Sequence, residues 1–270
     1  MDSLRHIVIG FDGREDGHRA LAWAGAFARE TPGTVLHLTH ALALPAVPMH
    51  SLDLSAEEIF SAAERDIRGQ LEAARGELAA AGIASEIHIR RWLPADTLIE
   101  QADELGAVLI VVGQHGGRAR RVLIGSTSGQ VSREARVPVV VARGALRPSP
   151  PRRILVGADG SAGSRAALTA ARNLFPDAQL LMASFRDRAG GLQTGELAAF
   201  VRDAGLDLSR VELHSSEGDA AAALLALAAN REVDLLCAGR RGGGPLLDLL
   251  LGSVSEKLLQ LAPCPLLLSH

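Results

Sequence analysis

Short runs of aliphatic residues alternate along the chain with longer segments in which apolar residues recur every three or four positions. The short runs have the length of buried strands, and the longer segments have the period of amphipathic helices. In the first half, the pattern predicts strands at Arg5–Phe11, Thr34–Ala41, Ser85–Arg90, Ala107–Val112 and Val137–Ala142. It predicts helices between them at Glu15–Glu30, Ser55–Ala81, Pro94–Glu104 and Ser126–Arg136.

The second half has the same alternation. Its predicted strands are Arg153–Ala158, Ala178–Phe185, Arg210–His214, Val233–Ala238 and Pro265–Ser269. Its predicted helices are Ser161–Leu174, Thr194–Ala204, Glu217–Asn230 and Ser253–Leu261. Parallel strands need a crossover connection, usually a helix, and such helices cover both faces of the sheet. The pattern therefore predicts an α/β fold of two tandem, open, five-stranded parallel sheets with helices on both faces.

The two halves also repeat each other in sequence. "HIVIGFDGREDGHRALAWAGAFA" (residues 6–28) parallels "RILVGADGSAGSRAALTAARNLF" (153–175), and residues 106–143 parallel residues 232–269. Between the halves, "GALRPSPPRR" (144–153) is rich in proline and lacks apolar periodicity, as expected of a linker. We therefore predict one domain at 1–144 and a second at 151–270, joined by a linker at 145–150.

Composition and charge exclude several classes of partner. A net charge of -3, a pI near 6.3 and 3% aromatic residues provide neither a cationic surface nor a stacking platform for nucleic acid. The longest strongly apolar helical stretch, Ala220–Ala229, is about half the length of a membrane-spanning helix. The amino terminus lacks the pattern of a signal peptide, so we expect a cytoplasmic protein. Cys237 and Cys264 lie in apolar runs and are predicted to be buried, reduced thiols.

A glycine-rich stretch, "GRRGGGPLLDLLLGS" (239–253), follows the fourth predicted strand of the second half. Ligands of open parallel sheets bind beyond the carboxyl ends of the strands, and the free N–H groups at a helix start attract anions. The stretch therefore predicts a site for a phosphate-bearing ligand. "SVSE" predicts a capping box in which Ser253 is the N-cap and Glu256 is its partner.

The arginines beside these loops are candidates for contact with anionic oxygens. They are Arg240 and Arg241 in the second half, and Arg118, Arg120 and Arg121 in the first. The alternative is that they are simply solvated, as loop arginines usually are.

The spacing of Gly239, Gly242, Gly252 and Ser253 resembles the GxxG(x9)G(S/T) signature of the ATP-binding members of the universal stress protein family. The openings "VIGFDG" and "LVGADGS" and the endings "VPVVVAR" and "CPLLLS" are similar to that family as well. The likeness covers nearly the whole chain, which is identified as a tandem, two-domain member. It implies a Rossmann-like fold of the adenine nucleotide alpha hydrolase-like type.

The resemblance also implies a ligand, ATP with or without Mg²⁺, and a set of site residues. Asp12 and Asp159 would contact the nucleoside, and Ala41 and Phe185 would line the adenine pocket. Phosphates would be held by main-chain amides, with a serine hydroxyl adding a bond, at Gly239, Gly242, Gly252 and Ser253 and at the first-half equivalents Gly113, Gly116, Gly125 and Ser126.

Each of these assignments has a structural alternative. The aspartates would serve only to form Asp-Gly turns, and the glycines would serve only to let a loop pack tightly on the sheet. Phe185 would either stack on an adenine ring or fill the space itself. The first-half loop has eight residues, not nine, between Gly116 and Gly125, which leaves open a narrower phosphate site there.

No catalytic set is apparent. Neither half has GxxxxGK[ST], and His115 and Asp248 do not occupy matching places in the two halves. Histidines in or near strands, such as His37, His40 and His214, are interpreted as structural, and no metal site is predicted. We interpret the chain as an ATP-binding regulatory or sensor protein of the stress response, with at most weak ATP hydrolysis.

Two alternatives remain open. One is an enzyme that uses ATP, either a slow ATPase or an adenylyl-transferring protein. The other is a nucleotide-free interaction protein whose last strands, "PVVVAR" and "PLLLS", pair edge to edge within and between chains. The resemblance implies that the two domains form a pseudo-dimer, and it leaves open a further homodimer and a signalling partner. We also expect Gly239→Val or Gly252→Val to abolish nucleotide retention at the second-half site while leaving the fold intact.

Overall fold

The computed structural model describes residues 4–42, 56–114, 126–186, 190–241 and 251–270, and the predicted alternation of strands and helices is confirmed there. The strands are β1 (Arg5–Gly10), β2 (Thr34–Ala41), β3 (Ala84–Arg90), β4 (Leu109–Gly113), β5 (Val139–Ala142), β6 (Arg153–Gly157), β7 (Gln179–Arg186), β8 (Val211–Glu217), β9 (Leu235–Gly239) and β10 (Leu266–Ser269). The helices are α1 (Glu15–Arg29), α2 (Ala56–Ala80), α3 (Pro94–Leu105), α4 (Ser126–Glu134), α5 (Ala162–Leu174), α6 (Thr194–Asp203), α7 (Ala220–Asn230) and α8 (Ser253–Leu261). Across these described ranges, no helix combines the length and apolar character that crossing a membrane requires.

The strands form one continuous ten-stranded sheet in the order β3-β2-β1-β4-β5-β10-β9-β6-β7-β8. All neighbours within each half are parallel, which confirms the predicted class. The two five-stranded sheets join where β10 pairs antiparallel with β5, with Leu267 opposite Val140. Both of these strands are buried along their whole length, so neither is suited to be an exposed edge.

Alternate side chains of the strands enter two apolar layers, one on each face of the sheet. Ile7 and Ile9 of β1 pack under α1 and α2, while Val8 packs on the face covered by α3 and α4. The second half repeats this arrangement with α5 and α6 on the first face and α7 and α8 on the other. Phe27 of α1 meets Phe175, just after α5, with ring centroids 5.5 Å apart, so the first layer is continuous across the two halves.

Two predicted boundaries are wrong. Glu217 was expected to start a helix, but it ends β8, because β8 pairs with β7 as far as Arg186 opposite Glu217. Helix α7 begins three residues later, where the Asp219 carboxylate accepts a hydrogen bond from the Ala222 amide at 2.8 Å. Ser253 is the first residue of α8, not its N-cap, since Gly252 occupies that position.

The two cysteines are free and buried, as predicted. Burial raises the pKa of the Cys237 thiol well above its usual value and raises that of Cys264 to about 12. Both thiols are therefore protonated at neutral pH, which suppresses their reactivity.

Two buried arginines tie each half to the helix end of the other. Arg143, after β5, donates to the carbonyl oxygens of Leu259 and Gln260 in the last turn of α8, at 2.5 and 2.9 Å. Arg240, after β9, donates to the carbonyl oxygens of Ala135 and Val137, just beyond α4. The last carbonyls of a helix lack intrahelical partners, and Arg143 satisfies two of them in α8. Arg240 satisfies carbonyls of the segment that follows α4.

We expect Arg240→Ala to lower the free energy of unfolding by about 2–4 kcal/mol, because it leaves buried carbonyls without a charged donor. Urea denaturation measures this change. Arg136→Ala is the matched control, since the Arg136 side chain is 81% exposed, and its effect should stay within about 0.5 kcal/mol. Equal effects of the two substitutions would contradict the role assigned to Arg240.

Candidate functional site

The predicted site residues gather at the carboxyl ends of neighbouring strands. In the first half, β2, β1 and β4 are adjacent and bring Ala41, Asp12 and Gly113 to one edge of the sheet. In the second half, β7, β6 and β9 do the same for Phe185, Asp159 and Gly239. Other predicted residues lie outside the described ranges, namely Gly116, Gly125 and Gly242, together with His115, Arg118, Arg120, Arg121 and Asp248.

Each aspartate forms a turn that leads into the next helix. Oδ1 of Asp12 accepts hydrogen bonds from the amides of Arg14 and Gly17, at 3.0 and 3.2 Å. Oδ1 of Asp159 accepts from the amide and the hydroxyl of Ser161, at 3.0 and 2.6 Å. Both carboxylates are exposed, and only one oxygen of each is used in these bonds. Turn formation and ligand contact are therefore compatible in the same side chain.

The residue after each aspartate must be glycine. Gly13 has φ +71° and Gly160 has φ +84°, a region that side chains with a Cβ rarely adopt. The Asp-Gly pair is thus a requirement of the turn itself.

The first glycine of each loop is fixed by close packing between a strand and a helix. A Cβ at Gly239 would lie 2.5 Å from the carbonyl carbon of Gly163 and 2.8 Å from its Cα, in the first turn of α5. A Cβ at Gly113 would lie 2.8 Å from the Cα of Asp16, in the first turn of α1. The expectation that Gly239→Val leaves the fold intact is therefore wrong.

The two ends of the second-half loop are held together by hydrogen bonds. The Gly252 amide donates to the Arg240 carbonyl at 2.8 Å, and the Ser255 hydroxyl donates to the Gly239 carbonyl at 2.6 Å. The amide of Gly252 is thus already bonded within the chain. Ser255 was not singled out in the sequence, although a serine recurs at the equivalent place in α4, Ser128.

The first residues of α4 and α8 are exposed at the same edge. Ser126 begins α4 and Ser253 begins α8, and both side chains are exposed. The amide groups of a first helical turn have no intrahelical acceptor, and the helix dipole is positive there. Each helix start can therefore attract an anion.

The adenine-pocket position differs between the halves. Ala41 is partly exposed at the end of β2. Phe185 is 7% exposed, belongs to the apolar layer under α7 and α8, and lies 5.4 Å from the His214 ring, centroid to centroid. Phe185 therefore packs within the apolar layer, and its contact with an adenine ring stays a prediction.

The segment around Leu192, between β7 and α6, covers part of the candidate site in the second half. The Leu192 amide donates to the Ser184 hydroxyl at 2.7 Å, and the Ser215 hydroxyl donates to the Leu192 carbonyl at 2.7 Å. A Cβ at Gly160 would lie 3.1 Å from Cδ2 of Leu192, which places that side chain against the Asp159 turn. The chain itself therefore occupies part of the space between the ends of β6 and β7.

In the first half, His40 occupies the position of Ser184. Its Nδ1 lies 2.7 Å from the Phe11 carbonyl oxygen, so the tautomer with hydrogen on Nδ1 donates to it. This bond ties the end of β2 to the end of β1 beside Asp12, which fits the structural role expected of His40.

Arg240 does not act as a phosphate ligand here. Its side chain is 6% exposed and is directed to the carbonyls beyond α4. Burial lowers its pKa to about 10, so the guanidinium remains charged at neutral pH. The sequence could not separate this role from anion binding, because the carbonyls that it satisfies lie about a hundred residues away in the chain.

A sequence model of the universal stress protein family matches residues 3–143 and 175–270. A universal stress protein of Mycolicibacterium smegmatis is 28% identical over 97% of this chain and 95% of its own length. One from Mycobacterium tuberculosis is 28% identical over 98% of this chain and 96% of its own length. The crystal structure of a universal stress protein from Archaeoglobus fulgidus has the same fold, with a TM-score of 0.81 at 20% identity over 98% of both chains.

Gly239→Ala should lower the free energy of unfolding by about 3 kcal/mol, since the added methyl group meets the backbone of α5. Gly76→Ala is the matched control, because a Cβ at this exposed position of α2 meets nothing within 4 Å. It should stabilise the protein by about 0.5–1 kcal/mol, as alanine favours a helix interior over glycine. Chemical denaturation of both variants measures the contrast, and a harmless Gly239→Ala would disprove the packing constraint.

Proposed function

Since the chain belongs to the universal stress protein family, we propose that it is a regulatory or sensor protein that binds ATP, with or without Mg²⁺. The proposed nucleotide site of highest affinity lies at the carboxyl ends of β1, β2 and β4. The observations that support it best are the exposed carboxylate of Asp12 and the small, partly exposed Ala41, which lie at the carboxyl ends of the adjacent strands β1 and β2. We also retain, as a proposal, the domain boundaries 1–144 and 151–270.

The nucleoside would contact Asp12 and lie against Ala41, while its phosphates would extend toward the start of α4. The exposed Ser126 and the positive end of the α4 dipole suit phosphate oxygens. Gly116 and Gly125 complete the proposed loop. The corresponding second-half set is Asp159, Phe185, Gly239, Gly242, Gly252 and Ser253.

We propose that the second site binds more weakly. Phe185 fills the position of Ala41, and Leu192 packs beside the Asp159 turn. A nucleoside would have to displace both apolar side chains from contacts that bury them. Such displacement costs free energy that the first site does not lose.

We propose a binding role rather than phosphoryl transfer, because the sequence has no matching catalytic set in the two halves. Hydrolysis needs a group that positions water and charges that neutralise the transferred phosphoryl group. In the sequence, His115 and Asp248 do not occupy matching places in the two halves, and neither half has GxxxxGK[ST]. Occupancy by ATP, rather than turnover, would then carry the signal.

The last strands do pair with each other within the chain, but association between chains through these strands has less support. β5 lies between β4 and β10, and β10 lies between β5 and β9, so both sides of each strand are paired within the chain. A second copy would have to break these pairs in order to use the same strands.

Asp12→Ala should weaken ATP binding about tenfold or more, because a charged hydrogen bond contributes about 1.5–3 kcal/mol. Isothermal titration of the full-length protein with ATP measures the loss. Asp159→Ala, the equivalent change in the second half, is the control and should alter the highest-affinity binding little. A larger loss in Asp159→Ala would reverse the ranking of the two sites, and no ATP binding by the unaltered protein would refute the proposed function.

Ala41→Phe places in the first half the side chain that the second half has at Phe185. It should reduce ATP affinity at least about tenfold by narrowing the pocket, without loss of the fold. Ala41→Val is the milder control. Titration with ATP, together with circular dichroism to verify folding, decides the outcome, and unchanged affinity in Ala41→Phe would exclude this pocket.

A further inference from the structure

Four side chains that could bind a metal ion lie on one face of the sheet, on the adjacent strands β3, β2 and β1. Glu86 and His88 are on the edge strand β3, His37 is on β2 opposite Glu86, and His6 is on β1. Nδ1 of His37 lies 2.9 Å from Nε2 of His88 and 3.5 Å from Oε2 of Glu86. Nε2 of His88 lies 3.7 Å from the same carboxylate oxygen.

We propose that His37, Glu86 and His88 bind a divalent transition-metal ion of the Zn²⁺ type. Ligand atoms about 2.0–2.2 Å from a tetrahedral Zn²⁺ ion lie about 3.3–3.6 Å from one another. The three donor atoms form a triangle with sides of 2.9, 3.5 and 3.7 Å. An ion would replace the His37–His88 hydrogen bond, and these two nitrogens would have to separate by about 0.5 Å. Two imidazoles and one carboxylate are a usual zinc ligand set that leaves the fourth position to water.

His6 would not bind the ion but would orient His37 through a hydrogen bond. Its Nδ1 lies 2.9 Å from Nε2 of His37, the ring nitrogen that faces away from Glu86 and His88. With hydrogen on Nε2, His37 donates to His6 and keeps the lone pair of Nδ1 for the metal. Such a bond to the second ring nitrogen orients a metal-binding histidine and selects its tautomer.

The exposure of the three ligands suits a site that an ion can enter from solvent. The side chain of His37 is 1% exposed, that of His88 is 23% exposed, and that of Glu86 is 61% exposed. The site is therefore buried on the β2 side and open at β3. It lies in mid-strand, four residues before Ala41, and does not depend on the proposed nucleotide site.

The second half shows that the fold does not need these polar groups. Glu212 and His214 occupy the places of Glu86 and His88, but Leu181 replaces His37 and Arg153 replaces His6. Leu181 is 4% exposed in the apolar layer, and Glu212 pairs with Arg231 at 3.0 Å. A buried leucine is compatible with the same backbone, so His37 adds a chemical capacity and not a packing requirement.

The helix that covers this face of the sheet is also more polar in the first half than in the second. α3 packs on β1 and β2 and buries Gln101, whose Oε1 has no hydrogen-bond partner among the residues that the structure describes. Leu227 of the apolar α7 occupies the equivalent place in the second half. The helix that covers β2 in the first half thus buries a polar side chain that the second half lacks.

The test uses the full-length protein, purified without a histidine tag and freed of metal by a chelator. Titration with Zn²⁺ against a chromogenic competitor should reveal one ion per chain at this site. His88→Gln and Glu86→Gln should weaken that binding about a hundredfold, and His6→Gln should weaken it about tenfold. His214→Gln is the matched control, because His214 is the counterpart of His88 in the second half, where leucine replaces His37. This substitution should leave the affinity for Zn²⁺ unchanged.

Visible absorption of bound Co²⁺ and circular dichroism distinguish loss of metal binding from loss of the fold. Co²⁺ bound in place of Zn²⁺ should give the intense visible absorption of tetrahedral coordination, and Glu86→Gln should abolish it. Glu86 is exposed, so this variant should fold even if His88→Gln does not, and circular dichroism verifies that. Failure of the unaltered protein to bind Zn²⁺, or equal binding by Glu86→Gln and His214→Gln variants, would overturn the proposal.

Discussion

The antiparallel pairing of β5 with β10 is the interaction on which the rest of the structure depends. Each strand would otherwise be an apolar edge with unpaired backbone groups, and both are buried from end to end. The pairing merges two five-stranded sheets into one. It also brings Arg143 and Arg240 within reach of carbonyl groups at or just beyond the helix ends of the opposite half. The junction between the two halves is therefore stabilised by backbone hydrogen bonds, apolar contacts and charged hydrogen bonds.

The two halves share the positions at which the backbone requires glycine, but they differ in side chains at other equivalent positions. Gly113 and Gly239 occupy equivalent places because a helix start crosses close to the strand end in both halves. No such steric limit applies at Ala41 and Phe185, or at His37 and Leu181. Burial lowers the pKa of His37 to about 4, with His88 contributing, so the ring is neutral at pH 7. The differences between the halves are therefore where distinct binding functions would arise.

Prediction from the sequence succeeded where the signal is local. The strands and helices follow from periodicity, and the Asp12 and Asp159 turns follow from the Asp-Gly pairs. It failed at Glu217, because the length of β8 is set by its pairing with β7. It also misassigned Ser253 as an N-cap, because Gly252 before it has the extended conformation of that position.

The sequence by itself determined the order of elements, the duplication and the edge of the sheet that carries the candidate site. Only the tertiary structure decided what particular side chains do there. Arg240 satisfies carbonyls of the other half, and Phe185 packs within the apolar layer. His37, interpreted from the sequence as structural, lies against His6 and His88, which the sequence did not single out. The physical reason is that periodicity and turn chemistry act between neighbours in the chain, whereas burial and hydrogen-bond partners are set by strands that pair across long sequence distances.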